Sequence, residues 1–254
     1  MAKIIVKNLS LEIPLIGQSR LFQKKLDAQS FTTQNIGSKK IIRNNMVYSR
    51  ILDNISFECG DGDNVALLGH NGSGKTSLLK VIAGIYYPSY GDIHTEGTIS
   101  SLLDVNSILK PDCTGYENMK LFWLHYNKSV DLKSLISNVE EFSDLGDFLN
   151  IPVKLYSAGM KARLLFSLTT FIKPDILLTD EGIGAGDEAF KKKAKKLMDE
   201  YVGAAKIKFF ASHDLNFIKS NCKKIFLIKK GKLTVYNNVE KGINYYTSEE
   251  YNTY

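Results

Sequence analysis

Val65-Ala-Leu-Leu68-Gly69-His70-Asn71-Gly72-Ser73-Gly74-Lys75-Thr76-Ser77 is the stretch on which the fold turns. Four apolar residues in a row make a short buried strand. From Gly69 the sequence fits G-x-x-x-x-G-K-[ST] once in the chain, and Lys75 to Ala83 continues as a helix that Gly84 ends. A strand before and a helix after is the context this pattern requires. Its glycines let the backbone wrap around phosphates with N–H groups inward. The helix N-terminus adds positive potential. Lys75 offers a point charge to β- and γ-phosphates, and the Thr76 hydroxyl a ligand for Mg²⁺. A glycine-rich turn with an incidental Gly-Lys-Thr is the plain alternative, and the flanking elements weigh against it.

Further along, Pro174-Asp-Ile-Leu-Leu-Thr-Asp180-Glu181 is an apolar strand ending in two adjacent carboxylates. Asp180 at the strand end suits the Mg²⁺ hydration shell. Glu181 suits a group that polarises an attacking water.

Around these motifs strands alternate with helices. Ile4 to Ile13 alternates as a strand, and residues 86–115 carry glycines and prolines that mark short strands and turns. Glu117 to Tyr126 places Met119, Phe122, Trp123 and Tyr126 at helical spacing, a stripe that reads as core, with part of it as a contact for a partner subunit the alternative. Leu132 to Phe148 reads as two short helices, and Ser157 to Ile172 as a helix capped by Ser157. Ala189 to Val202 is amphipathic, with Phe190, Ala194, Leu197, Met198 and Tyr201 on one face. Lys191, Lys192, Lys193, Lys195 and Lys196 then fall on its solvated face rather than forming a nucleic-acid patch. Ile207–Ala211 and Ile225–Ile228 are further strands. Such alternation implies an α/β fold with a mostly parallel, doubly wound sheet.

Between the two acidic and glycine-rich motifs stands Tyr156-Ser157-Ala158-Gly159-Met160, opening a helix whose N–H groups and dipole suit a phosphate. With this motif the chain resembles the ATP-binding subunits of ABC transporters over about residues 51–235. The resemblance implies a P-loop NTPase of ABC type: a mostly parallel core sheet, an antiparallel β subdomain and a helical signature subdomain at about 105–172. It assigns the signature to Tyr156–Met160, the D-loop to Gly184-Ala185-Gly186-Asp187 and the switch histidine to His213. It implies ATP with Mg²⁺ as cofactor and an ATPase activity. Gly69 to Ser77 then contact the nucleotide, Thr76 and Asp180 the metal, and Glu181 and His213 the reaction. In the family, two subunits meet head to tail, so each signature is offered in trans within a homodimer. The usual Q-loop glutamine is absent. Ser101-Leu-Leu-Asp104-Val-Asn106 occupies its place, with Asp104 as its substitute near the metal. Phe22, Phe31 and Tyr48 are candidates to stack on adenine.

The details of Tyr156–Met160, Asp180–Phe190, Phe142–Phe148 and Thr114-Gly-Tyr-Glu-Asn118 resemble bacterial polysaccharide-export ATPases, which serve O-antigen, capsule and teichoic acid. That resemblance implies two copies of a transmembrane permease subunit as partners and a lipid-linked polysaccharide at the cytosolic entrance. Its place is the cytoplasmic side of the inner membrane, bound peripherally. Teichoic acid export and import are the nearer rivals. A repair ATPase would carry a long coiled coil between the phosphate loop and signature, where this chain has no heptads. The expected layout is one ATP-binding domain over 1–240 and a tail over 241–254, without a carbohydrate-binding domain.

The 254 residues carry a net charge of +6 and 44% hydrophobic residues, values that exclude a disordered or fibrous chain. No apolar run reaches the roughly 18–20 residues that cross a bilayer, and the N-terminus has no signal-peptide pattern. Cys59, Cys113 and Cys222 form no CxxC pair and read as free thiols. The charge is local: residues 15–50 hold seven basic groups against the single acid Asp27, an excess equal to that of the whole chain. This insertion is expected to face an anionic membrane or the cargo's diphosphate headgroup, a plain solvated loop being the alternative. Nucleic acid is not an expected partner.

Overall fold

A computed structural model describes residues 1–15, 39–43, 46–103, 108–125, 131–171, 173–180 and 197–252. They belong to two compact units, Met1–Glu96 with Phe209–Tyr254, and Gly97–Lys208.

The first unit begins with β1 (Lys3–Pro14), β2 (Lys39–Arg43), β3 (Met46–Gly60), β4 (Asn64–Leu68), α1 (Lys75–Ile82) and β5 (Tyr90–Glu96). All of these strands except β4 form an antiparallel sheet ordered β2-β3-β1-β5. Its register sets Ile4 against Cys59 and Thr95, so alternate residues of β1 turn inward. Part of the basic insertion is therefore sheet. Lys39 pairs with Arg50 and Arg43 with Met46 in an antiparallel ladder. Periodicity hid this strand because β2 lies at the sheet edge, where cationic side chains are normal and discourage further pairing. Residues 16–38, with Phe22 and Phe31, lie outside the described residues. Tyr48, the third adenine candidate, sits half-buried on β3 with its hydroxyl 3.7 Å from Met46 Sδ.

The same unit holds β9 (Lys224–Lys229) and β10 (Lys232–Tyr236), and it receives the end of β8 (Ile207–Ala211). There the strand order is β10-β9-β4-β8, with β4 parallel to β9 from the pair Val65–Lys224 onward. β9 and β10 form a hairpin whose turn places Lys230 and Gly231 both at positive φ, matching the twist of the strands. Phe226 meets Phe57 and Phe209 edge-on, at centroid distances of 4.9 and 5.8 Å, and Phe57 and Phe209 lie tilted at 6.3 Å. Burial pushes the Cys59 and Cys222 thiols up to about 12, so neither is a nucleophile at neutral pH. After α5 (Leu215–Asn221) come α6 (Val239–Tyr246) and α7 (Glu249–Asn252), which hold most of the described residues of the expected tail, 241–254. Asn238 caps α6 by accepting from Lys241 N–H.

The second unit contains β6 (Ile99–Leu102), α2 (Gly115–His125), α3 (Leu132–Ser143), α4 (Ala158–Phe171) and β7 (Ile176–Asp180). Its strands follow the order β8-β7-β6, with β6 and β7 parallel. The fold is thus α/β with a mostly parallel core sheet, a separate antiparallel sheet and a helical group, as expected. Met119 and Phe122 of the aromatic stripe are buried with Leu135, Val139, Leu149 and Leu164, and Trp123 packs against them. The stripe is core; Tyr126 lies outside the described residues. Of the amphipathic helix expected over 189–202, residues 197–204 are described and helical. Tyr201 is buried there and donates a hydrogen bond to Ser100.

Candidate functional site

The phosphate loop is shaped by its glycines. Gly69, Gly72 and Gly74 all have positive φ. A Cβ on Gly69 would stand 2.4 Å from Ile228 O and 2.5 Å from Ser73 Oγ, and one on Gly74 would stand 2.9 Å from Leu52 Cδ2. The loop is therefore too tight for side chains at these points, whatever its φ values allow. Gly74 is also the residue before α1, whose first intrahelical bond runs from Leu78 N–H to Gly74 O. At the other end, Gly84 N–H donates to Val81 O and Ile85 N–H to Lys80 O, the paired bonds of a glycine-terminated helix.

Lys75 is 8% exposed, and its ammonium donates to Gly69 O at 2.7 Å and to His70 O at 3.3 Å. Ser73 N–H donates to the same His70 O at 3.1 Å. The cation is thus drawn over the loop rather than extended to solvent. Ser73 Oγ is buried with no hydrogen-bond partner among the described residues. A buried hydroxyl in that state costs free energy unless an acceptor or donor arrives. A compact cradle with a cation across it and an unmatched hydroxyl in its wall suits an oxyanion such as phosphate. Mg²⁺ is not independently marked, since no cluster of three or more His, Cys, Asp or Glu stands together among the described residues. A nucleotide metal takes most of its ligands from phosphate oxygens and water, so it needs no such cluster.

His70 behaves differently from the other loop residues. Its ring stacks on Tyr251 at 4.7 Å and 23°, so the side chain turns toward the C-terminal helices. The spacing of the motif gave no sign of this. His213 follows β8 on an exposed turn whose ends are fixed. Asp214 N–H donates to Ser212 Oγ, and the Asp214 carboxylate caps α5 by accepting from Asn216 and Phe217 N–H.

In the second unit, Asp180 closes β7 and is half-buried. The strand's start is fixed by Asp175, which accepts from Lys206 at 2.6 Å and from Thr98 N–H at 3.0 Å. The Lys206 hydrogen bond, then that of Thr98, holds the Asp175 carboxyl below its ordinary range. Glu181, the Gly184–Asp187 stretch and Asp104 lie outside the described residues.

The signature divides by burial. Tyr156 is 5% exposed and packs in the helical core, its hydroxyl donating to Phe148 O at 2.6 Å. Burial raises its pKa, and a backbone hydrogen bond from Gly115 partly opposes that. Ser157 and Ala158 are exposed, and Ser157 Oγ accepts from Met160 N–H at 3.2 Å, the expected N-cap of α4. So Tyr156 anchors the segment, and Ser157 and Gly159 are left at the surface end of the helix.

Asn118 holds the approach to this segment, a role that sequence reasoning missed. It is 2% exposed. Its amide donates to Lys110 O, Cys113 O and Thr114 O and accepts from Lys110 N–H. The loop it gathers binds the chain just before the signature, through Val153 N–H to Cys113 O and Lys154 N–H to Pro111 O. Thr114 and Glu117 cap α2 reciprocally. Gly115 leaves room for Tyr156, whose hydroxyl would lie 2.7 Å from a Cβ there. The only prior sign was the pattern Thr114-Gly-Tyr-Glu-Asn118, in which Thr114, Gly115, Glu117 and Asn118 now have a physical task and Tyr116 donates to Glu140 at 2.6 Å. Asn118→Ala removes four hydrogen bonds, taking this partner from the Lys110 N–H and carbonyl and leaving Cys113 O and Thr114 O only their backbone donors, Val153 and Asn118 N–H. The expected loss is about 2–4 kcal/mol of unfolding free energy. Chemical denaturation checks this, and a loss under about 1 kcal/mol would contradict the bonding described.

Comparison with known proteins agrees with this geometry. Residues 52–184 match the family model described as ABC transporter. The chain is 40% identical to the O-antigen export system ATP-binding protein RfbE of Yersinia enterocolitica, over 91% of this chain and 96% of that one. It is 38% identical to the teichoic acids export ATP-binding protein TagH of Staphylococcus haemolyticus, over 78% of this chain and 75% of that one. The TagH of Bacillus cereus is also 38% identical, but the chain spans only 38% of its length. Among solved structures, an ATP-binding subunit of an ABC transporter superposes with a TM-score of 0.63 at 18% identity, covering 96% of this chain and 95% of that one. An ATP-binding cassette solved as a post-hydrolysis dimer with ADP and Pi gives 0.61 at 17% identity, covering 92% and 97%. Those two likenesses concern the fold; the family model and the RfbE relative decide the family. This chain belongs to the ABC transporter family, as one of its ATP-binding cassettes.

Proposed function

We propose that the chain is the ATP-hydrolysing subunit of an exporter that moves a lipid-linked polysaccharide, O-antigen or capsule-like, across the inner membrane. The observation that carries this reading is a tight phosphate loop with Lys75 drawn over it, in a chain 40% identical to an O-antigen export ATP-binding protein along 91% of its length. Two copies pair head to tail and act on two transmembrane permease subunits from the cytoplasmic face. No helix among the described residues is long and apolar enough to cross a membrane, which suits a peripheral subunit.

Each residue has a task in this reading. Lys75 and the loop N–H groups from Gly69 to Ser77 hold the phosphates. Thr76 and Asp180 would hold Mg²⁺, with Asp104 as a further ligand; the ion, when bound, supplies positive charge to the phosphate oxygens. Glu181 orients the attacking water and takes its proton. His213 contacts the γ-phosphate. Ser157 and Gly159 reach the partner subunit's nucleotide through the N-terminus of α4, and Gly184–Asp187 lie along the same dimer contact. ATP and water give ADP and phosphate, and closure of the pair moves the permease.

The test is genetic and chemical. Cells lacking the gene are expected to accumulate lipid-linked glycan on the cytosolic side and to lose it from the surface, with a Lys75→Ala copy failing to restore export. Undiminished surface polysaccharide, or loss of an uptake activity instead, refutes export. A second reading, teichoic acid export, draws on the 38% identity to TagH. An accumulated polyol-phosphate polymer would favour it.

A further inference from the structure

α7 packs into the unit that holds the phosphate loop, and its Tyr251 is 0% exposed. Its hydroxyl accepts from His70 N–H at 3.3 Å and donates to Ile228 O at 3.3 Å. Its ring carries the His70 imidazole on one side, and Lys229 Nζ lies 4.9 Å from its centroid. Tyr246 packs against it at 5.2 Å. The phenol is thus fully matched, while burial raises its pKa against the His70 bond that lowers it.

The partner of that phenol is a particular peptide. His70 N–H and Gly69 C=O belong to one planar unit, whose N–H and C=O point in opposite directions. Lys75 Nζ holds the oxygen of this unit at 2.7 Å, and Tyr251 holds its hydrogen. Rotation of the peptide would break both bonds. It would also turn the carbonyl away from the Lys75 ammonium that it places across the loop. The Ile228 carbonyl that receives the Tyr251 proton also faces the loop, since a Cβ on Gly69 would stand 2.4 Å from it. One side chain from α7 therefore bridges β9 and the loop's first peptide.

We propose that Tyr251 is a positioning residue for the nucleotide: it fixes the Gly69–His70 peptide so that the loop is formed before ATP arrives, which makes α6 and α7 part of the ATP site. This rests on the reading of Gly69–Thr76 as the phosphate loop. Pre-formation matters because a loop that must order on binding weakens affinity by the cost of ordering. Linkage then works in both directions: nucleotide binding must also tighten α7.

The test uses the full chain and its basal ATPase. Tyr251→Phe keeps the ring and removes the hydroxyl. The expected result is a KM for ATP raised about five- to tenfold, the scale of one or two lost hydrogen bonds, with kcat within twofold. Val6→Ala is the control. Val6 is buried in β1, away from α6, α7 and the phosphate loop, so this variant lowers Tm while leaving KM within twofold. A KM within twofold for Tyr251→Phe overturns the proposal, as does an equal rise in the Val6→Ala control, which would mean general loosening. Hydrogen exchange on the unmodified protein gives a second arm. ADP is expected to slow amide exchange in residues 239–252, and unchanged exchange there overturns the proposal without any variant. Lys75→Ala separates the two levels. If it binds nucleotide normally, the phosphate-loop reading fails. If it loses nucleotide while Tyr251→Phe does not, only the role of Tyr251 fails.

Discussion

Lys75→Ala is expected to weaken ATP binding about 100-fold or more, close to 2.7 kcal/mol, while the chain stays folded. Two losses add. The first is the charge: an ammonium beside phosphate oxygens makes charge-assisted hydrogen bonds, each worth about 1.5–3 kcal/mol. The second is shape. In the structure the ammonium ties Gly69 O to His70 O, so its removal frees the loop backbone as well as the charge. Lys75→Arg separates the two. It keeps the charge on a planar fork that does not fit a site for a compact ammonium, so it is expected to restore only part of the affinity. Titration calorimetry with ATP checks both variants, and circular dichroism checks that they fold. Affinity within threefold of wild type for the alanine variant would mean that the loop does not bind phosphate through Lys75. The basal ATPase of both variants should fall in the same order.

What could be seen in advance follows from the range over which each interaction acts. The phosphate loop was legible because its constraints are local. Glycines must stand where φ is positive or where a Cβ would strike a neighbour, and Gly69, Gly72 and Gly74 do. The Ser157 cap was legible for the same reason, since it binds Met160 three residues on. β2 was missed because Lys39, Lys40 and Arg43 occupy an edge strand that needs little apolar alternation. Asn118 was visible only as part of a resemblance: its bonds reach back to Lys110, and a polar residue inside a helical pattern looks exposed. Tyr251 was not visible at all. Its bond to His70 spans 181 positions, and no local pattern encodes a contact of that length. Residues whose work is long-range bonding to backbone are the ones that sequence patterning hides. Both such residues here support a predicted motif from outside it.

Glu181→Gln is expected to leave ATP binding intact and to lower turnover by about 10²- to 10³-fold, within the range usual for loss of a general base. The carboxamide has nearly the same shape as the carboxylate, so the loop, the metal ligands and the dimer surface are undisturbed. What it lacks is basicity: a neutral amide takes no proton from an attacking water. If hydrolysis is what reopens the pair, ATP-bound dimers should then accumulate. Size-exclusion chromatography with light scattering should find a monomer for wild type with ADP and a dimer for Glu181→Gln with ATP and Mg²⁺. Two controls give the result its meaning. Adding Lys75→Ala to Glu181→Gln should abolish the dimer, because without bound nucleotide there is nothing to close upon. Ser157→Arg should abolish it too. Ser157 is exposed at the start of α4, and a cation of that bulk would block the surface assigned to the partner's phosphate. Turnover of Glu181→Gln near the wild-type rate would remove Glu181 from the chemistry. Slow turnover without a dimer would keep Glu181 as the base and reject the head-to-tail arrangement, placing Ser157 and Gly159 outside the ATP site. The Ser157→Arg variant also shows whether the trapped dimer closes through α4: a dimer that survives it closes through some other surface.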